Sequence, residues 1–229
     1  MAIDVITWMW GDKYGMRDIV RLFKAVKKNL RAEHRFHVFS EPDFPHLEDG
    51  YGIKAHPIED PSLIGRNCFC RLRMFDPRWQ QRNDLRGTIV SLDLDVVITG
   101  TLDPLFETSK TFMILRGANA ANPCPYNASV MLLKAGHHAK VWTEFSIEKA
   151  NAVPFYEFPD DQGWIWHMLP KAHGWPVGKS GIYAFQKPGW PKGNDALPVN
   201  ARLVTFIGAR KPEQFTALPW VQKFWTEAA

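Results

Sequence analysis

Two aspartates one residue apart, Asp93 and Asp95, follow a run of apolar and β-branched residues, Thr88–Leu92. Such a run is typical of a strand that is buried on both faces. In extended chain, residues i and i+2 point to the same side at about 6.5 to 7 Å between Cα atoms, so both carboxylates can bind one hard cation. Open α/β sheets also bind their ligands at this end of a strand. The spacing therefore predicts a metal site at Asp93 and Asp95; a solvated turn that carries two acids is the alternative.

The composition is that of a globular chain with a mild basic excess. With 229 residues, 45% of them hydrophobic, the chain can bury a substantial core, and we expect one domain over residues 1–229. The net charge of +4 suits an anionic substrate but is too small for a nucleic-acid footprint. We therefore expect no nucleic-acid partner.

The cysteines and the first residues indicate a cytoplasmic protein. Cys68, Cys70 and Cys124 lack the spacing of a disulfide framework or a zinc site, which favours a reducing compartment. The first ten residues have no basic leader, and no apolar run reaches the ~18 residues of a membrane-spanning helix. We expect a soluble, cytoplasmic protein.

The elements that must position the aspartates begin with a strand, a helix and a strand. Residues 3–9 are mostly apolar, residues 16–31 carry apolar side chains at helical spacing, and residues 35–40 form a second apolar run. This opening predicts an α/β fold, with helices flanking a mostly parallel central sheet and right-handed crossovers. Further strands are predicted at 53–58, 88–92, 111–115, 127–134 and 202–207, helices at 68–75, 138–149 and 220–226, and irregular chain at 175–195.

Charged residues on two predicted helices have both simple and functional interpretations. In the helix over Cys68–Phe75 the arginines lie off the apolar face, where solvation explains them most simply, yet Arg71 is also well placed for a phosphate. Asp160 and Asp161 precede another apolar helix face. N-capping and a favourable interaction with the helix dipole are the simplest roles for both acids.

Five short motifs follow one another between Ile3 and Pro212. They are Thr7-Trp8 with Tyr14, Arg71 within Phe-Cys-Arg-Leu-Arg, Asp93-Leu94-Asp95, Asn127-Ala-Ser-Val-Met131, and Asp161-Gln162. In this order they resemble the glycosyltransferases of the GT-A fold, most closely the bacterial galactosyl- and glucosyltransferases grouped with the glycogenin-like family 8. Ser129 stands where that family usually has glycine. The resemblance implies a single Rossmann-like GT-A domain.

The resemblance also implies a role for each motif. Thr7, Trp8 and Tyr14 would cradle the nucleotide, Arg71 would grip the donor, and Asn127 would contact the sugar. Asp93 and Asp95 would hold Mn²⁺ or Mg²⁺, with Leu94 lending its backbone. Asp161 and Gln162 would lie near the reacting face of the sugar, and Gly208 and Lys211 would contact the donor diphosphate.

The sequence departs from the family at its last motif. The family pattern His-x-x-Gly-x-x-Lys-Pro supplies a third metal ligand from its histidine, but this chain has Thr205 there, followed by Gly208, Lys211 and Pro212. A shift of the alignment by two residues puts Ile207 in that place, and the ligand is still missing. The metal would then rest on two carboxylates, the diphosphate and water, a shell that Mg²⁺ tolerates better than Mn²⁺.

The implied activity is retaining, metal-assisted transfer of a hexose from a nucleotide sugar, most simply a UDP-sugar. Gln162 is a weak nucleophile, which favours front-face attack over a covalent intermediate. The acceptor would be a glycan or a lipid-linked saccharide, with peripheral membrane contact as a further expectation. Two alternatives are a catalytically silent nucleotide-sugar-binding protein and a nucleotidyltransferase. The latter usually has a Gly-rich basic loop, which Gly11–Gly15 imitates faintly.

Overall fold

The computed structural model of the protein describes residues 2–41, 52–65, 67–118, 123–153 and 159–227. The strands in these ranges are β1 Ile3–Met9, β2 His34–Ser40, β3 Ile53–Pro57, β4 Thr88–Leu92, β5 Val97–Ile98, β6 Phe112–Arg116, β7 Tyr126–Lys134, β8 His173–Pro176, β9 Ile182–Ala184 and β10 Leu203–Thr205. The α-helices are α1 Met16–Asn29, α2 Pro77–Arg82, α3 Asp103–Phe106, α4 Lys140–Thr143, α5 Ile147–Asn151, α6 Asp161–Met168 and α7 Pro219–Val221. Three 3₁₀ turns, Pro61–Leu63, Phe69–Phe75 and Pro212–Phe215, and a π turn, Gln222–Thr226, complete the helical elements of the described residues.

Seven strands form one sheet in the order β3-β2-β1-β4-β7-β6-β8. β1 pairs in parallel with β2 and β4, and the β2–β3 and β6–β8 pairs are also parallel. β7 alone runs antiparallel to its neighbours β4 and β6. The predicted α/β fold with a mostly parallel central sheet is therefore confirmed. A small second sheet, β5-β10-β9, was not predicted.

The central strands are apolar because the sheet is covered on both faces. Every residue of β1 and of β4 is buried. Alternate side chains enter two different hydrophobic clusters, with Val5 and Val90 in one and Ile6 and Ile89 in the other. The amphipathic helix α1 buries its apolar stripe, including Leu22, in the first cluster.

The order of the strands creates a crevice at one edge of the sheet. After β1 the chain passes through α1 to β2 on one side, whereas β4 pairs with β1 on the other side. The carboxyl ends of β1 and β4 thus meet at a reversal of strand order, which is where open α/β sheets bind ligands. Because β7 is antiparallel and its Val130 pairs with Leu92, the start of β7 lies at the same edge.

Two local predictions were wrong. The helix predicted over 138–149 is interrupted, because Ser146 caps a new helix, α5, by accepting a hydrogen bond from the Lys149 amide. The region predicted to be irregular contains β9 and the end of β8. The terminal helix predicted over 220–226 is present, as α7 followed directly by a π turn. No helix within the described residues has the length and apolar character needed to cross a membrane, and the single-domain organisation stays a prediction.

Candidate active site

A cavity of about 370 Å³ lies at the crevice beside β1 and β4. Trp8, Tyr14, Arg71, Asp93, Leu94 and Asp95 line it from the first half of the chain. Asn127, Gly208 and Lys211 line it from the second half. Nine of the ten residues predicted to bind the donor therefore lie around one cavity, although they come from well-separated parts of the sequence.

The two aspartates follow β4 in a turn rather than in extended chain. β4 ends at Leu92, and the Val96 amide donates to the Asp93 carbonyl at 3.4 Å. The Asp93 amide donates to the Ser129 carbonyl of β7 at 3.1 Å, which fixes the start of the turn. The predicted i, i+2 geometry of a strand was therefore wrong, and the turn is what places both carboxylates at the cavity.

Arg71 is the buried cation that joins two of the predicted motifs. Its guanidinium is ion-paired to Asp93, and its Nη2 donates to Asp161 Oδ1 at 3.0 Å. Nε also lies 2.8 Å from Asp161 Oδ2, without the alignment of a hydrogen bond. The Arg71 side chain is only 8% exposed, so the solvated interpretation of this arginine was wrong. Arg71 is buried because two carboxylates neutralise it.

The two acids before α6 have different roles. Asp160 caps the helix, since its side chain accepts a hydrogen bond from the Gly163 amide at 2.8 Å. Asp161 instead is 1% exposed and pairs with Arg71, so N-capping was the wrong interpretation for this residue. Burial raises the pKa of the carboxyls of both Asp161 and Asp93, and the Arg71 guanidinium opposes the shift.

Asp161 and Gln162 lie behind the cavity rather than in its lining. The Gln162 side-chain oxygen accepts a hydrogen bond from the Ala128 amide at 3.3 Å. Asn127, one residue earlier in β7, lines the cavity, and its side chain accepts from the Ser129 amide at 3.2 Å. The Asn127 and Asp161-Gln162 motifs therefore meet at the start of β7.

Asp95 is contacted by residues from early and from late in the sequence. Its Oδ2 atom accepts a hydrogen bond from the Tyr14 hydroxyl at 2.7 Å and also contacts the Lys211 ammonium. Burial and the negative charge of Asp95 raise the pKa of Tyr14, which keeps the phenol protonated. Burial would lower the pKa of Lys211, but Asp95 outweighs it and the pKa is raised, so Lys211 stays charged.

Lys13 is a cavity residue that the motifs did not indicate. Its ammonium lies 4.8 Å from the centre of the Tyr14 ring and is near enough to interact electrostatically with Lys211 and Asp95. Partial burial and repulsion by Lys211 lower the pKa of Lys13. The sequence feature that could have indicated Lys13 is the turn Gly11–Gly15, in which Lys13 is the one basic residue.

Two residues predicted to cradle the nucleotide have structural contacts. Thr7 is fully buried outside the cavity, and its hydroxyl donates to the Leu92 carbonyl at 2.9 Å, which ties β1 to β4. Donor binding by Thr7 was therefore the wrong interpretation. Trp8 lines the cavity but is 7% exposed and stacks on Phe39 and Trp79 at 4.9 and 5.5 Å between ring centres.

Thr205 does not face the aspartates. It ends β10, is 1% exposed and donates from its hydroxyl to the Tyr183 carbonyl of the neighbouring β9 at 3.5 Å. The cavity is lined instead by the residues that follow, among them Ile207. Neither Thr205 nor Ile207 therefore offers a metal ligand to the cavity.

The side chains around the aspartates do not fit a resident divalent cation. In the part of the chain that the structure describes, no three His, Cys, Asp or Glu side chains are grouped to hold a metal. Asp93 is paired with Arg71 and Asp95 with Lys211, so a metal ion there would meet two positive groups at close range. Binding of Mn²⁺ or Mg²⁺ by Asp93 and Asp95 stays a prediction that these contacts do not favour.

Comparison with solved structures identifies the fold. Two glycosyltransferases of known structure, LgtC and GlyE, are among the proteins that share it. An active-site mutant of LgtC matches with a TM-score of 0.65 and 16% identity over 98% of this chain and 94% of that protein. The galactosyltransferase LgtC in complex with donor and acceptor sugar analogues matches with a TM-score of 0.58 and 17% identity over 99% and 100% of the two chains.

The second protein is the glycosyltransferase GlyE of Streptococcus pneumoniae TIGR4. It matches with a TM-score of 0.63 and 17% identity over the whole of this chain and 60% of its own length. No protein-family model and no curated protein matches the sequence. The predicted resemblance to GT-A glycosyltransferases is confirmed at the level of the fold.

Proposed function

We propose that the protein is a glycosyltransferase that moves a hexose from a nucleotide sugar, with UDP as its nucleotide, to a saccharide acceptor. One observation carries the proposal. The cavity at the reversal of strand order places Arg71, Lys211 and the Asp93-Asp95 turn together, within a fold shared with LgtC and GlyE. Clustered basic groups beside an α/β crevice suit a diphosphate-bearing donor.

The chemistry needs charge stabilisation more than a nucleophile. As the bond between the sugar C1 and the diphosphate oxygen breaks, its electron pair leaves with the nucleoside diphosphate. Lys211 at the cavity wall would stabilise the negative charge that develops on this group, because fixed cations in a partly buried site need little reorganisation. Arg71 lies deeper, paired with Asp93 and Asp161, and would hold the floor of the site in place.

We propose that the acceptor attacks from the face that the diphosphate leaves, which retains the configuration at C1. The acceptor oxygen forms the new bond to C1, and its proton passes to the departing phosphate oxygen, so no covalent enzyme intermediate is needed. Asn127 would bind a sugar hydroxyl at the cavity wall, and Gln162, which lies behind that wall and accepts a hydrogen bond from the Ala128 amide, would hold the wall in position beside the sugar. Asp161 would keep Arg71 in place.

Release of UDP tests the proposal. The protein is incubated with a panel of UDP-hexoses and soluble saccharide acceptors, and UDP and the glycosylated product are measured together. Product formation, with its anomeric configuration read by NMR, is the expected result. UDP binding without product would favour a silent binding protein, and pyrophosphate release from UTP and a sugar phosphate would favour a nucleotidyltransferase.

The type of acceptor is a separate part of the proposal. A glycan and a lipid-linked saccharide both present the hydroxyl that the reaction needs, so the cavity alone does not choose between them. Transfer rates to the same saccharide, free and attached to a lipid in vesicles, separate the two acceptors. Sedimentation of the protein with those vesicles tests the expected peripheral membrane contact.

A further inference from the structure

Two lysines from opposite ends of the chain converge on the carboxylate of Asp95. Lys211 contacts Asp95 directly, and the Lys13 ammonium is near Lys211, Asp95 and the ring of Tyr14. Both lysines line the cavity, whereas the Asp95 side chain is only 7% exposed. The arrangement therefore presents two ammonium groups to the cavity in front of a buried acid.

Two ammonium groups face Asp95, the acid of this cluster that Arg71 does not contact. Asp93 and Asp161 share the single guanidinium of Arg71, and Asp95 needs only one of the two ammonium groups. The three acids and three cations of the cluster therefore balance, but the ammonium group that Asp95 does not need lies at the cavity. Two ammonium groups so close together repel each other, and an added polyanion between them relieves this repulsion.

The same contacts leave little room for a metal ion. A divalent cation on Asp95 would have to displace Lys211 and would then lie beside Lys13, an arrangement that like charges oppose. Neither of the two positions considered for a third ligand supplies one, since Ile207 is apolar and Thr205 is turned into the sheet. A diphosphate is attracted instead of repelled, since both lysines can donate hydrogen bonds to its oxygens.

We propose that Lys13 acts with Lys211 as a diphosphate clamp, so that the ammonium pair supplies at the donor phosphates the positive charge that a divalent cation would otherwise provide. The inference rests on the proposed function. It adds Lys13 as a donor-binding residue and predicts that the diphosphate binds without a metal ion. In this arrangement Tyr14 keeps Asp95 hydrogen-bonded when Lys211 turns to the diphosphate. Asp95 then positions Lys211 rather than binding a metal.

Calorimetric titration of UDP into the full-length protein tests the clamp. The titration is run in EDTA and again with Mg²⁺ or Mn²⁺. The expected result is binding in EDTA, with a dissociation constant that metal changes by less than about threefold. Lys13→Met should weaken UDP binding in EDTA by about tenfold, and Lys13→Arg should recover most of the loss, because a charge-assisted bond to phosphate is restored. Uridine should bind equally to all three proteins.

Lys110→Met is the matched control, since Lys110 is exposed and outside the cavity lining. It removes the same charge and should leave the affinity for UDP unchanged. Thermal unfolding of each variant checks that the fold is retained. UDP binding that requires Mg²⁺ or Mn²⁺, or equal affinity of Lys13→Met and the unchanged protein, would overturn the clamp and leave glycosyl transfer standing. Absence of UDP binding under every condition would overturn both proposals.

Discussion

Arg71 and Asp161 form an ion pair that is almost completely removed from solvent, with 8% and 1% of their side chains exposed and Nε 2.8 Å from Oδ2. The pair joins the 3₁₀ turn Phe69–Phe75 to α6, and through Asp93 it reaches the turn that follows β4. The same guanidinium that would stand beside a donor therefore also holds three elements together. Function and stability are coupled at this residue.

Arg71→Met should strongly destabilise the protein. The substitution leaves Asp161 as a buried carboxylate without its cationic partner, and breaking such a pair typically costs about 3–5 kcal/mol of the free energy of unfolding. Urea denaturation at pH 7 measures the loss. Arg82→Met is the matched control, because the Arg82–Glu59 pair is 51% and 32% exposed and such exposed pairs contribute little to stability. Equal losses for the two variants would contradict the structural role of Arg71.

The protein should lose stability in mild acid because of His56. Burial and the neighbouring His37 lower the pKa of His56 to about 4, from an ordinary value of 6.5. Between these values the unfolded chain binds a proton that the folded chain does not, so the free energy of unfolding falls as pH falls from 6.5 to 4. The full loss from this group is below about 3 kcal/mol, because His56 is partly exposed and solvent screens its interactions.

Denaturant titrations between pH 4 and 6.5, on the unchanged protein and on His56→Gln, isolate the contribution of His56 to the free energy of unfolding. The variant should have a flatter dependence on pH, because its side chain has no proton to gain. Burial would raise the pKa of Asp4, but hydrogen bonds from His37 and Arg35 outweigh it and lower the pKa. The stability that Asp4 contributes is therefore lost only below its ordinary pKa of 3.8, outside the pH range in which His56 titrates. Identical pH profiles for both proteins would show that His56 is not the responsible group.

Gln162→Ala should separate catalysis from donor binding. Gln162 lies behind the cavity and bonds to the Ala128 amide, so its loss should misplace the wall at the sugar while sparing the diphosphate contacts. We expect kcat to fall by about 10²-fold with little change in the dissociation constant of UDP. Gln81→Ala, at an exposed position in α2, should change neither quantity. A selective loss of UDP affinity would place Gln162 at the nucleotide instead.

Ile207→His should create weak manganese binding, in competition with Lys211 for Asp95, whereas Thr205→His should create none. Ile207 lines the cavity, and an imidazole there would join the two aspartates as a third ligand of a type that suits Mn²⁺. Thr205 is buried in the small sheet, so a larger side chain should cost about 1–3 kcal/mol of stability through overpacking. Titration of Mn²⁺ by electron paramagnetic resonance, without nucleotide, measures the new site. A gain in Thr205→His alone would mean that β10 is turned toward Asp95.

Local sequence pattern was sufficient for the elements that frame the site. β1, α1, β4 and β7 lie within two residues of their predicted bounds, because period and apolar content alone distinguish a buried strand from an amphipathic helix. The same reasoning did not predict that the side chain of Arg71 is buried. Its neighbours form a 3₁₀ turn, and the face that carries the arginine is buried by α6 and satisfied by carboxylates from distant parts of the chain.

The strand β8 was missed because its residues usually break strands. β8 contains Gly174 and ends at Pro176. A Cβ atom on Gly174 would come within 2.3 Å of the Ile114 carbonyl oxygen, so glycine is required by the close approach of β6 and β8. That requirement becomes visible only when the partner strand is in place. Lys13 was missed for a related reason, since its importance depends on Lys211, which lies far along the chain.

The convergence of Tyr14 and Lys211 on Asp95 has a consequence for biosynthesis. The ribosome makes Tyr14 first, Asp95 next and Lys211 a further 116 residues along the chain. The seven-stranded sheet includes no residue beyond β8, so all of its strands are synthesised before Lys211. Until Lys211 has been synthesised, Asp95 would lack its direct ammonium partner, and the pocket would lack the wall that Phe206, Ile207, Gly208 and Lys211 supply.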